Sequence, residues 1–189
     1  MEENNYTPNV FARGLGLDSM QTIGIICPDV ADMYMANAVA CLEHRLRGYG
    51  YDCILYCSGY QQKKKENAVD LIMKKRIDAL VLVGSTYADV GTAGSGCEYI
   101  RKASAKIPVF LINGEVEGDN IYCVYSQDEQ AAYEAVSELI ASGRQRILFL
   151  TDSDTYSVMK KMARYERALK ENGLPVLGEL KLCLKNQIQ

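Results

Sequence analysis

A single histidine, His44, is all the imidazole this 189-residue chain possesses. It stands between Glu43 and Arg45 in a stretch of helical periodicity, where an exposed helix position accounts for it. No Gly-x-Ser-x-Gly, Walker-type or His-Glu-x-x-His spacing occurs, and no nucleophile with a base, carboxylate pair or metal cluster is legible. The expectation is a binder rather than an enzyme, with no catalytic residues, no metal and no cofactor. Basic residues are scarce early in the chain: Arg13 is the only Lys or Arg before Arg45. With a net charge of −3 and an isoelectric point near 5.3, this excludes a nucleic-acid surface spread over the whole chain. Apolar runs are short, none approaching the roughly 18 residues of a membrane span. No charged-then-apolar leader is visible, so a soluble, cytoplasmic protein with no membrane partner is expected. Seven cysteines are an odd, scattered set, and Cys53 and Cys57, four apart, suit neither zinc-finger nor redox spacing. Buried, reduced thiols are the expectation.

What is present is an ordinary globular composition, 48% hydrophobic and 24% charged. Ile23 to Cys27 reads as a buried strand, broken by Pro28-Asp29. Met35, Val39, Leu42, Leu46 and Tyr49 then recur at helical spacing, and Gly48-Tyr49-Gly50 ends the helix. Further strands are expected at 51–57, 79–83, 108–112, 121–125, 146–150 and 180–184. Helices are expected at 61–76, with Ala68, Leu71, Ile72 and Lys75 on one face, and at about 97–105. Two more are expected at 127–142 and about 156–172, the last with Met159, Met162, Tyr165 and Leu169 on one face. Lys74-Lys75-Arg76 reads as a solvated helix end. A β-then-α order predicts an α/β fold, a Rossmann-like parallel sheet with helices on both faces.

In such sheets ligands bind outside the carboxyl ends of the strands. The loops there carry Asp29, Asp32, Tyr34, Met35, Gly84-Ser85, Asn113, Gln127 and Asp128. Carboxylates and amides take bidentate hydrogen bonds from hydroxyls, and Tyr34 offers an apolar face to a sugar or purine ring. Each is equally able to serve as a loop or capping residue, Asp128 above all. The Gly91 to Gly96 stretch lacks the lysine and spacing of a phosphate loop and reads as a rim loop.

Four segments, Thr22–Glu43, Gly50–Ser85, Ile107–Gly114 and Glu134–Leu150, together resemble the sensor domain of the LacI/GalR family of bacterial transcription regulators. The opening Tyr6-Thr7-Pro8-Asn9-Val10-Phe11-Ala12-Arg13-Gly14-Leu15 looks like that family's hinge. By physics alone it is a flexible arm, since Gly14 and Gly16 each cost about 1 kcal/mol in a helix. The resemblance implies a hinge that becomes helical on operator DNA, with Asn9, Ala12 and Arg13 in it and Leu15 wedged into the minor groove. It also implies a periplasmic-binding-protein-like type I fold, with two lobes and a ligand between them. Residues 1–19 would be leader and hinge, 20–144 the amino-terminal lobe and 145–189 the start of the carboxyl-terminal lobe, without a DNA-binding headpiece.

Three positions depart from the family pattern. Asp32-Met33-Tyr34-Met35 stands where Asn-Pro-Phe-Phe is usual, and Gln127-Asp128 takes the place of the acidic-plus-amide pair. Lys161-Met162-Ala163-Arg164-Tyr165 replaces Arg-x-x-Gly-Phe/Tyr, so Lys161 falls where the family's arginine clamps effector hydroxyls. Lysine is a point charge and does not copy that fork. The resemblance implies a homodimer that binds a sugar, sugar phosphate or nucleoside and reaches operator DNA through hinge and headpiece. The alternatives are a stand-alone sugar-binding protein of a transport system and a regulator that senses a protein partner.

Overall fold

The computed structural model describes residues 19–88 and 96–184. Strands β1 (Thr22–Cys27), β2 (Asp52–Cys57), β3 (Ala79–Val83), β4 (Val109–Ile112) and β5 (Ile121–Val124) form one parallel sheet in the order β2-β1-β3-β4-β5. The central strands β1, from Ile23 on, and β3 are apolar because both of their faces are covered. The expected α/β fold, with a Rossmann-like parallel sheet, is therefore present.

Helix α1 (Met33–Gly48) covers one face. Its Met35, Ala38, Val39, Leu42 and Leu46 pack on Ile23, Ile25, Cys27, Val81 and Val83. Tyr49, expected on that face, is 79% exposed because the helix has ended there and the chain is turning. Helices α2 (Gln62–Met73) and α3 (Glu98–Ser104) cover the other face, around Ile26, Ile72, Leu80, Leu82, Ile100 and Leu111. Each fully buried aliphatic side chain there contributes about 1.5–3 kcal/mol. Gly24 lets α2 approach: a Cβ on it would meet Ile77 Cδ1 at 2.6 Å and Ile72 Cδ1 at 2.8 Å. The buried face of α2 is Lys65, Ala68, Val69 and Ile72, while Leu71 is half exposed and Lys75 exposed. Both stripes have i, i+3, i+4, i+7 spacing, and packing on the sheet selects the one that starts at Lys65.

One compact unit ends at Val124 and a second begins at Tyr125. Helix α4 (Asp128–Ala141) packs on α5 (Tyr156–Glu171). Val136, Ile147, Tyr165, Ala168 and Leu169 form the core of this unit, and the Tyr165 hydroxyl donates to the Ile147 carbonyl at 2.9 Å. Met159, expected in that core, is 45% exposed, whereas Ala168, nearer the end of the helix, is buried in it. Strands β6 (Phe149–Thr151) and β7 (Lys181–Cys183) pair in parallel, both shorter than expected.

Two of the cysteines, Cys27 and Cys97, are buried; Cys41, Cys57 and Cys183 are exposed. The expectation of buried thiols fails at those three because edge strands and outer helix faces carry apolar residues too.

Candidate functional site

In the order β2-β1-β3, the chain's winding direction reverses between β1 and β3, and in open α/β sheets ligands bind outside the carboxyl ends of the strands at such a point. Asp29 follows β1, Ser85 follows β3 and Asn113 follows β4, so three expected residues share this edge. Both aspartates beside β1 already have local duties. Asp29 accepts from the Ala31 N–H at 2.9 Å, and Asp32 caps α1 by accepting from the Met35 N–H at 3.0 Å. Both are exposed, which leaves carboxylate oxygens for a ligand. Tyr34 is 50% exposed in the first turn of α1.

Gly84 adopts φ +122, ψ 146, a conformation open essentially to glycine alone. A Cβ there would lie 2.7 Å from Met35 Cε and 3.5 Å from Pro28 Cδ. The Met35 thioether thus lies against Gly84 at the end of β3, and the side chain packs on the core of this sheet face. Ser85 is buried in the turn Ser85–Tyr87, and Asn113 holds φ +61 while its N–H donates to the Val124 carbonyl at 2.7 Å.

Sequence reading missed a buried group under this edge. Lys65 lies on the apolar face of α2, donates to the Thr86 carbonyl at 2.7 Å and stands 5.8 Å from the Tyr87 ring centroid. Burial pushes its pKa down. The Tyr87 hydroxyl in turn meets Ser58 Oγ at 2.6 Å, and burial pushes the phenol up. The i, i+3, i+4 spacing of Lys65 to Ala68 and Val69 was the signal available.

In the second unit the expected Asp128 and Lys161 come together. Lys161 Nζ lies 3.0 Å from Asp128, and Ser126 also donates to that carboxylate. The Ser126 hydroxyl first, and Lys161 second, hold the Asp128 pKa below its ordinary value. Asp128 therefore does not cap α4; Gln127 holds the N-cap position without a side-chain bond. Arg164, where the family pattern has glycine, donates to Glu129 at 3.0 Å, and Lys160 lies 3.5 Å from the same carboxylate. Both departures in this segment thus gain carboxylate partners in the first turn of α4, where negative charge suits the helix dipole. With 36% and 39% of their side chains exposed, Lys161 and Asp128 form a solvent-reached pair, of the kind that contributes about 0.2–1 kcal/mol.

Asn9, Ala12, Arg13 and Leu15, and most of the Gly91–Gly96 rim loop, lie outside the described residues. No helix among the described residues is long and apolar enough to cross a membrane.

The family described as periplasmic binding proteins and sugar binding domain of LacI family matches residues 20–187. An HTH-type transcriptional regulator of Lachnoclostridium phytofermentans is 45% identical over 187 residues, 98% of this chain and 56% of that protein. Catabolite control protein A of Priestia megaterium is 30% identical over 178 residues, 93% of this chain and 52% of the relative. The chain thus spans about half the length of the curated relatives it matches. A LacI family transcriptional regulator from Lactobacillus casei with bound sucrose shares the fold at TM-score 0.70 and 15% identity, covering 86% of this chain and 58% of that one. The parallel sheet, its strand order and the match over residues 20–187 agree: this chain belongs to the family of periplasmic binding proteins and LacI-type sugar binding domains.

Proposed function

We propose that this chain is the effector-sensing part of a LacI-type transcription regulator, and that its ligand is a sugar, sugar phosphate or nucleoside. The observation that carries the reading is the carboxyl-end edge of β1 and β3, with exposed Asp29, Asp32 and Tyr34 and with Met35 close against Gly84. Carboxylates accept from ligand hydroxyls, while an aromatic face and a thioether suit the apolar side of a ring. In the second unit Gln127, Asp128 and Lys161 are the ligand contacts, and Lys161 exchanges its carboxylate partner for the ligand. The sucrose in the Lactobacillus casei regulator supports the ligand class.

The mechanism is a shift of population. Effector binds one arrangement of a homodimer more tightly and so changes how the segment containing Asn9, Ala12, Arg13 and Leu15 meets operator DNA. The regulator works in the cytoplasm, where its operator is.

The test is thermal unfolding of the chain, extended to the length of its relatives, with millimolar sugars, sugar phosphates and nucleosides. A ligand at a hundredfold excess over its Kd stabilises the native state by about 2.7 kcal/mol. A shift from one chemical class, lost in Asp29→Ala and in Asp128→Ala, supports the reading. A panel with no shift from any class overturns it and favours a protein partner as the signal.

A further inference from the structure

Cys27 and Cys57 end β1 and β2, and the parallel register sets them opposite one another. Neighbouring strands lie about 4.8 Å apart, within the Cα separation of about 4.4–6.8 Å that a disulfide spans. Residues paired in register point to the same face, here the one that Ile23, Ile25 and α1 share. Two backbone bonds just beyond the pair hold the strand ends together: Ser58 N–H to the Cys27 carbonyl and Gly59 N–H to the Pro28 carbonyl, both 2.9 Å. The two thiols are free but unequal, Cys27 fully buried and Cys57 exposed. Burial first, then the neighbouring Cys57, then Asp29 and Asp32, push the Cys27 thiol up to about 12.

We propose that Cys27 and Cys57 form an oxidation-sensitive dithiol, which hydrogen peroxide converts to an intramolecular disulfide joining the ends of β1 and β2. The exposed Cys57 reacts first: its thiolate attacks one peroxide oxygen, the O–O bond breaks, and a sulfenic acid and water result. Cys27 sulfur then attacks the sulfenic sulfur, losing its proton as the hydroxyl departs as a second water. In total two thiols give up two electrons to one peroxide, yielding one disulfide and two waters. Because Cys27 resists ionisation, the second step is the slow one and the sulfenic acid on Cys57 persists long enough to be trapped. The bridge would sit two residues from Asp29. It stands on unit-internal geometry and does not depend on the identity of any ligand.

The test titrates the fully reduced chain with hydrogen peroxide, counts thiols in denaturant and maps linked peptides by mass spectrometry. Free thiols should fall from seven to five per chain and return to seven with a dithiol reductant. One internal link, Cys27 to Cys57, should account for the loss. Cys57→Ser, at an exposed position and so compatible with folding, should abolish that link. Cys27→Ala should leave a dimedone-reactive sulfenic acid on Cys57. Peroxide that carries Cys57 to sulfinic acid while Cys27 stays reduced, or a first link between other cysteines, overturns the proposal.

Discussion

Replacing Gly84 with alanine tests the Met35–Gly84 contact directly. At φ +122, ψ 146 an alanine costs about 1–3 kcal/mol in backbone strain. Its Cβ would also lie 2.7 Å from Met35 Cε and 3.3 Å from Met35 Sδ. That contact is with the far end of a flexible side chain, so it adds about 1 kcal/mol rather than the upper range for overpacked cores. The sum is about 2–4 kcal/mol. Adding Met35→Ala removes the contact but not the strain, so the two substitutions should couple by about 1 kcal/mol and the double variant should stay unstable. The substitution lies within one of the chain's two compact units, so its effect is read best on that unit alone. Native-state hydrogen exchange on peptides covering β1 and β3, at increasing urea, reads the relevant unit. If Gly84→Ala stays within about 0.5 kcal/mol of the parent, or Met35→Ala restores it fully, backbone strain is not what requires the glycine.

Two further outcomes concern the helices. Asp32→Ala removes the α1 cap and should cost about 0.5–2 kcal/mol, with faster amide exchange at Ala36 and its neighbours; unchanged exchange there would refute the capping role. In the second unit, Asp128, Glu129 and Glu166 are held below their ordinary values by Ser126 and Lys161, by Arg164 and Lys160, and by Lys181 and Lys170. A depressed carboxylate adds stability above its unfolded value and loses it as pH falls through the folded one. Protection in α4 and α5, taken relative to the intrinsic exchange rate at each pH, should therefore be flat from neutral pH down to the ordinary values of 4.5 and 3.8, and fall below them. An Asp128→Asn, Glu129→Gln chain that shows the same acid sensitivity would count against these pairs.

Local chemistry was enough to locate every strand and α-helix described, because each rests on short-range signals. Asp32 before a helical apolar series reads as a cap, and Gly50, at φ +82, as the end of that helix's turn. The shared edge of the candidate residues was legible for a similar reason: a βα repeat places the loops after β1, β3 and β4 on one side whatever the order of the strands. Helix faces were read less well. Leu71 and Met159 fit an apolar stripe in the sequence but are about half exposed, and Lys65 sits where an apolar residue would be expected.

The sequence by itself thus determined the parallel α/β class and the side of the sheet to which the loops after β1, β3 and β4 belong. Tertiary structure alone decided which strands are central. β2 (DCILYC) and β3 (ALVLV) are similarly apolar, yet β3 is buried along its whole length and Leu55 and Cys57 of β2 are exposed. The difference comes from pairing: β3 lies between β1 and β4, whereas β2 pairs with β1 alone. It also decided that α4 leaves the first unit, since its Val136 meets Tyr165 and Leu169, partners distant in the chain. Periodicity tells a helix which of its faces is apolar; it carries no information about which distant surface will cover that face.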